Sequence, residues 1–595
     1  MADEADTETR QMPVVGIPPR NAAQWRGDIL IAASLSILAF ALFIVPTILY
    51  RPLYETPETR IAVVAREMLQ SGDLLVPTVG GKPRLTKPPL PYWMTALTAK
   101  IIGGDDRSER VMTRAVQIPS ALFATFAVFL LVLYGGTIGG RSSGVMAGII
   151  LGFSVLICHY AQLGYGDTIL MSTTAAAFCC AAWILCVPHA GVFAAFGFGV
   201  SLGMAVLTKG HIPLAFCAAP LLVEILIRRS FNLRKVLLFS MGLAVAVCVA
   251  GPWFYLIEMK IPGALPKMIS KAEDIVNRGS HDHSFWFYFY TLAGGLLPWF
   301  PVLLCAWPIY LLKKRIPETK RQADPHQILN EHLRFFALAA VLGFIGLMCV
   351  RGKQEYYLLP LIPAIALGSG LMLGRLKFPG GFAEERLAWT QLITGVVVGL
   401  VVCSLPLIAP HLVDRHDRVS ALLVRINELM GWPLIPMGVA LIVIYVYCAR
   451  QWVEARAMNA MLVPGVIGYA ALMVWSFHWT EKQQKYPLAI EAAQLREQVN
   501  SLGKNVPLYA AEHESWPTLT FYLEHPVGSL ADLRRDLADP AHKAPPHALI
   551  ADADRLRALN MPQLIPAGND GLFIIPSIDE ATWEQLTAKE VDPAE

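Results

Sequence analysis

Seven charged residues stand at the edges of long apolar runs, where their types and positions could do chemistry. Lys87 sits in a proline-flanked segment (Lys87-Pro88-Pro89), Lys209 ends the fifth apolar run in Thr-Lys-Gly-His, and Arg351 and Lys353 follow the ninth. Glu55, Glu58 and Asp167 supply negative charge nearby. Cations at that level neutralise a phosphate, and lysines, being point charges, stabilise one whose negative charge grows as a bond to it breaks. Carboxylates beside them position an acceptor or take its proton. Lys209 has no acidic neighbour in sequence, at a depth where an unpaired cation is costly, so phosphate is its natural partner. Each residue also has a plainer reading. Lys and Arg near helix ends snorkel to lipid headgroups. Asp167 opens the fourth run, where it would serve as an N-terminal helix charge or cap worth about 1 kcal/mol.

The elements that must position these groups are membrane helices. Of 595 residues, 55% are hydrophobic and 16% charged, against roughly 25% charged in soluble domains. Mean hydropathy is +0.47. Apolar runs of about 20 residues recur from Ile29 to Trp475, which places most of the chain in a bilayer. About thirteen spanning helices are expected, near 28–50, 115–134, 143–160, 168–188, 190–208, 212–227, 236–257, 290–312, 335–350, 356–374, 389–410, 434–448 and 459–477. A net charge of +3, from 49 Lys+Arg against 46 Asp+Glu, argues against a nucleic-acid partner. All 10 cysteines lie in apolar segments and read as small core hydrophobes.

Basic residues set the expected orientation. Arg20 and Arg26 precede the first helix, Arg228, Arg229, Arg234 and Lys235 join the sixth and seventh, and Lys313, Lys314 and Arg315 follow the eighth. All fall on one side if the N-terminus is cytoplasmic, and an odd helix count then puts the C-terminus outside. The expected organisation is a cytoplasmic disordered tail over 1–27, a transmembrane domain over 28–479 and an extracytoplasmic α/β domain over 480–595. The last is read from short apolar runs at Val506–Ala510, Ala548–Ile550 and Leu572–Ile575 and a helical pattern at Ser529–Leu537. The loops 51–113 and 258–289 fall on the same outer side. In the first, Ile61, Val64, Ala65, Met68 and Leu69 recur at helical spacing, as in a helix lying on the membrane surface, and a second amphipathic stretch is expected after Pro89.

The loop sequences carry a family resemblance. The stretch ETRIAVVAREMLQSGDLLVPTVGGKPRLTKPPLPYW, Glu58 to Trp93, resembles the first periplasmic loop of bacterial lipid A aminoarabinose transferases (ArnT-like). These belong to the polyprenyl-phosphate glycosyltransferases of GT-C fold, which include protein O-mannosyltransferases. GYGDT (Gly164–Thr168), LTKG (Leu207–Gly210), HSFWFY (His283–Tyr288), PWF (Pro298–Phe300) and GKQEYYLLPLIPAIAL (Gly352–Leu367) follow in the family's order, with FYLEHPV (Phe521–Val527) a looser match.

The resemblance implies a mainly α, polytopic GT-C enzyme of the bacterial inner membrane. It would move a sugar from an undecaprenyl (polyprenyl) phosphate donor to lipid A phosphate or another glycolipid, or, as in the mannosyltransferases, to a protein hydroxyl. It implies that Asp167 faces the active-site cavity and that Glu58 and Arg60 occupy an Asp-Glu-x-Arg motif. Here Pro57 stands at the position of that Asp, so Glu55, one turn back, is a second candidate carboxylate. Lys87, Lys209, Arg351, Lys353, His283, Tyr356 and Tyr357 are the candidate substrate contacts. A phosphate acceptor, already ionised near neutral pH, needs orientation more than a base.

No cofactor is required for such transfer, but several GT-C relatives use a divalent cation. His281, Asp282 and His283 have too few ligands for one and read as a solvated loop, with His283 the exception because it leads HSFWFY. Trp253, Trp286, Tyr288 and Trp299 read as an interfacial aromatic belt. A transporter or flippase would have as many helices, but would carry midplane charges, broken helices or repeats; here the polar residues crowd at the outer ends.

Overall fold

In a computed structural model the described residues are 22–453, apart from 51–52, 54–55, 188–189, 229–231, 271–282, 314–326, 376–381, 413–430 and 433, together with stretches of 454–575. The architecture is mainly α and multi-pass. Among the described residues nine helices are long and apolar enough to cross a membrane, or eleven when two bent pairs count as single spans. The pairs are Arg141–Gly152 with Val155–Gln162, bent by 60°, and Phe287–Gly295 with Phe300–Pro308, bent by 104°. Ile212–Arg228 is a shorter apolar helix of 17 residues. The expected segment 459–477 is described only to residue 465.

The order and direction of the first elements set the functional end of the bundle. Helix α1 (Ala22–Tyr50) leads into α2 (Thr56–Ser71), a hairpin of β1 (Thr78–Val79) and β2 (Lys82–Pro83), α3 (Leu90–Gly103) and α4 (Glu109–Gly139). After α5 (Arg141–Gly152) and α6 (Val155–Gln162), α7 (Asp167–Cys186) and α8 (Val192–Lys209) pack as neighbours joined by a short connection. The first residue of α7 and the last of α8 therefore lie at one end. That polarity also suits the helix dipoles, an acid at an N-terminus and a base at a C-terminus. Gly210, at φ 69°, ends α8 in a conformation that favours glycine.

Close helix crossings are made by small residues, as expected in lipid. A Cβ on Gly199 of α8 would lie 2.3 Å from the Gly242 carbonyl of α10 (Leu233–Lys260, following α9 at Ile212–Arg228). The remaining helices described include α11 (Phe287–Gly295), α12 (Phe300–Lys313), α13 (Gln327–Met348), a 3₁₀ turn at Glu355–Leu361, α14 (Ile362–Arg375), α15 (Phe382–Ile408) and α16 (Leu434–Val453). The 3₁₀ turn packs against α7.

Beyond them lies a five-stranded mixed sheet of order β4-β3-β5-β7-β6, with strands Leu508–Ala510 (β3), Val527–Ser529 (β4), Ala548–Asp552 (β5), Ile565–Pro566 (β6) and Leu572–Ile575 (β7). The helix α17 (Trp516–Leu523), between β3 and β4, docks on α2. The Arg66 guanidinium donates to the Phe521 carbonyl at 3.2 Å and sits 4.9 Å over the Phe521 ring, and the Tyr522 hydroxyl donates to the Leu53 carbonyl.

This docking corrects the expectation of a membrane-surface helix at 56–71. Ile61, Val64, Ala65 and Met68 do form one apolar face, but it is buried in a core shared with α3, α4, α17 and β3. An amphipathic pattern records that one face is apolar, not whether lipid or protein covers it. The aromatic belt is corrected likewise. Trp253, Tyr288 and Trp299 are buried, and of the four only Trp286 is exposed. The expected helix at Ser529–Leu537 falls mostly outside the described residues.

Candidate active site

Asp167 and Lys209 form an ion pair where α7 begins and α8 ends, with side chains only 3% and 13% exposed. A carboxylate that deep needs such a partner. The Lys209 ammonium also lies 4.4 Å from the Tyr357 ring centre and 5.0 Å from that of Tyr356. Both rings offer it a negative π face. Tyr356 meets Tyr165 edge-on at 5.6 Å and Tyr160 at 6.0 Å, so an aromatic wall rises beside the pair.

The Gly164–Asp167 segment that presents the acid is held from several sides. Glu58, fully buried on α2, accepts a hydrogen bond from the Gly164 N–H at 2.7 Å. The Ser120 hydroxyl of α4 donates to the Tyr165 carbonyl at 3.0 Å. A Cβ on Gly166 would come within 2.7 Å of Pro91, so the Pro-Pro-Leu-Pro run seats directly against the turn before Asp167. Glu58 thus touches the backbone that aims Asp167.

Lys87 belongs to the same centre. Burial pushes its ammonium down to about 8, the Asp167 carboxylate pulls the other way, and Lys209, Arg60 and Arg84 add to the lowering. Its loop is pinned at several points. Glu67 accepts from the Thr78 hydroxyl at 2.5 Å and from the N–H groups of Gly80 and Gly81 at 2.6 and 3.3 Å. The indole N–H groups of Trp93 and Trp253 donate to the carbonyls of Leu74 and Leu75 at 2.7 and 3.0 Å. Asp73 accepts from Lys260 at 2.7 Å, and that bond chiefly holds its carboxyl below the usual carboxylate range.

Lys353 and His283 form a second cluster, joined to the first through the run Gln354–Tyr357. Lys353 is buried and its ammonium donates to the His283 carbonyl at 3.0 Å, while the His283 ring stacks on Phe287 at 4.3 Å. The Gln354 N–H donates to the Tyr288 hydroxyl at 3.3 Å. Arg351 is exposed. Arg60 is half-buried on α2, within electrostatic reach of Lys87. Glu55, His281 and Asp282 lie outside the described residues. Among the described residues no group of three or more His, Cys, Asp or Glu converges as a metal site would require.

Sequence reasoning passed over Arg84, Tyr160, Tyr165 and Ser120. Arg84 had a signal, its place three residues before Lys87. The others are apolar-run or hydroxyl residues whose relevance appears only once α4, α6 and α7 are packed.

Residues 86–255 match the family described as dolichyl-phosphate-mannose-protein mannosyltransferase. The chain is 26% identical over 418 residues to the undecaprenyl phosphate-alpha-4-amino-4-deoxy-L-arabinose arabinosyl transferase of Pectobacterium atrosepticum, covering 67% of this chain and 70% of that one. The protein of the same description from Edwardsiella ictaluri is 27% identical over 401 residues, 65% of this chain and 67% of that one. The crystal structure of ArnT from Cupriavidus metallidurans bound to undecaprenyl phosphate superimposes with a TM-score of 0.70 at 18% identity, covering 93% of this chain and 98% of that one. The same fold is therefore present here.

Proposed function

We propose that this chain, which has the fold of ArnT and is similar to undecaprenyl-phosphate arabinosyl transferases, moves a sugar from an undecaprenyl-phosphate donor to a phosphate of lipid A or a related glycolipid, at the centre built by Asp167, Lys209 and Lys87. The observation that carries this is the buried Asp167–Lys209 pair with Lys87 in electrostatic reach of both. Two lysines hold the donor phosphate. As the bond from the sugar's anomeric carbon to the phosphate oxygen breaks, the electron pair stays with the phosphate, and the lysines stabilise that growing charge. Asp167 orients the acceptor, and Glu58 keeps Asp167 in register through Gly164. Tyr356 and Tyr357 wall the sugar side. Arg60 adds positive charge beside Lys87. Lys353 and His283 brace the Gln354–Tyr357 run from below, with Arg351 at its exposed start.

A phosphate acceptor suits a site with Pro57 where the family has an Asp. An ionised phosphate attacks without a base, whereas a hydroxyl must lose a proton. The described carboxylate nearest the lysines is already committed to Lys209, which fits orientation better than proton abstraction. A carboxylate so paired also fits a metal poorly. The test is mass spectrometry of envelope lipids and glycoproteins from a strain lacking the gene. Loss of a glycosyl substituent from lipid phosphate supports the reading; loss from a protein hydroxyl instead would replace it.

The site faces the extracytoplasmic side. This rests on the contact of α17 with α2, which puts the first loop and the strand-containing module on one face, and on the basic Arg234 and Lys235 at the opposite end of the bundle. A topology reporter fused after Ala594 is expected to be active only in its extracytoplasmic form. A reporter active only in the cytoplasm would invert the assignment.

A further inference from the structure

One strong cation at this centre has no part in the chemistry above. Arg84 lies three residues before Lys87, in the loop that Glu67 pins, and its own N–H donates to the Pro77 carbonyl at 2.7 Å. It is half-buried, and its Nε is buried without a hydrogen-bond partner among the described residues. The guanidinium faces the hydroxyl of Tyr92, which is buried on α3. Arg84, Arg60 and Lys209 all act on Lys87 as like charges, and Asp167 is the one described carboxylate that opposes them. A buried guanidinium Nε without a partner, set among cations, costs free energy, which a bound anion recovers.

Building on the acceptor reading above, we propose that Arg84 grips the phosphomonoester of the acceptor, while Lys87 and Lys209 hold the phosphodiester of the donor. A planar guanidinium takes a phosphate through two parallel N–H bonds, which fixes direction as well as position. Held so, one phosphate oxygen attacks the anomeric carbon as that carbon's bond to the donor oxygen breaks. The electron pair leaves with undecaprenyl phosphate, and no proton moves. Reaction between two anions requires that both phosphates be neutralised, and Arg84 adds a further cation beside Lys87 and Lys209 for it.

The test compares wild type, Arg84→Gln and Arg84→Lys in nanodiscs. Three probes are titrated: undecaprenyl phosphate, bisphosphorylated lipid A, and the same lipid A after phosphatase treatment. Arg84→Gln is expected to weaken bisphosphorylated lipid A about tenfold to a hundredfold, with Arg84→Lys intermediate. Undecaprenyl phosphate and dephosphorylated lipid A should bind as to wild type, and the former shows that the variant is folded. Equal weakening of all three probes, or of undecaprenyl phosphate as much as of bisphosphorylated lipid A, overturns the assignment. If wild type prefers the phosphorylated lipid and Arg84→Gln keeps that preference, Arg84 falls and the acceptor reading stands. If wild type itself makes no distinction, both fall.

Discussion

Asp167→Asn is expected to lower turnover by about 10² to 10⁴ while undecaprenyl phosphate still binds, as for a group whose work is done on the acceptor in the transition state. The amide keeps the shape of the side chain and its place at the start of α7, but loses the charge that pairs with Lys209 and that is proposed to orient the acceptor. Lys209→Ala should behave differently. It removes a cation that meets the donor phosphate in ground and transition states alike, so donor affinity and turnover both fall. Either change leaves a buried charge without its partner and costs stability, about 3–5 kcal/mol in comparable cases. Thermal melting in detergent therefore accompanies the kinetics. Bound undecaprenyl phosphate with lost turnover identifies Asp167 as acting on the acceptor; normal turnover would remove it from the mechanism.

Donor affinity should fall steeply with alkaline pH, through Lys87. Its ammonium titrates near 8 in the free protein because burial disfavours the charge. A bound phosphate favours the charged form and raises that value, so binding takes up a proton wherever Lys87 starts neutral. The sign follows: affinity is full below pH 8 and declines above it, by about thirtyfold at pH 9.5 if the bound lysine stays protonated. A sugar phosphodiester is a monoanion throughout this range, so the dependence belongs to the protein. Lys87→Arg, charged at every pH tested, should flatten the profile, and Lys87→Ala should bind weakly without it. Isothermal titration of the donor between pH 7 and 9.5 reads this directly. A wild-type profile that is flat would separate Lys87 from the phosphate.

Much of this site was legible before packing was known, because charges at the ends of apolar runs are rare and conspicuous. Asp167 and Lys209 could be placed at one level from helix direction alone, although nothing in the sequence said that they pair with each other. Proximity across 42 residues depends on how α7 and α8 cross. Glu58 stood out as an acid in a motif, but its hold on Gly164 depends on α2 being buried rather than lying on lipid. Hydropathy windows counted apolar runs without seeing that two of them bend by 60° and 104°. Tyr160 and Tyr165 were unremarkable in sequence, since aromatic residues abound in membrane helices and only Tyr356, some 190 residues later, gives them a role.

Glycosyl, and not phosphoglycosyl, transfer is expected at the Asp167–Lys209 centre. Single-turnover reaction of purified wild type and Asp167→Asn in proteoliposomes, with a donor carrying ¹⁴C in the sugar and ³²P in the phosphate and with lipid A as acceptor, tests it most directly. The expected result is ¹⁴C on lipid A, all ³²P remaining in undecaprenyl phosphate, and transfer lost in Asp167→Asn although that variant retains the donor. Appearance of ³²P on the acceptor, or equal transfer by the two proteins, would contradict it.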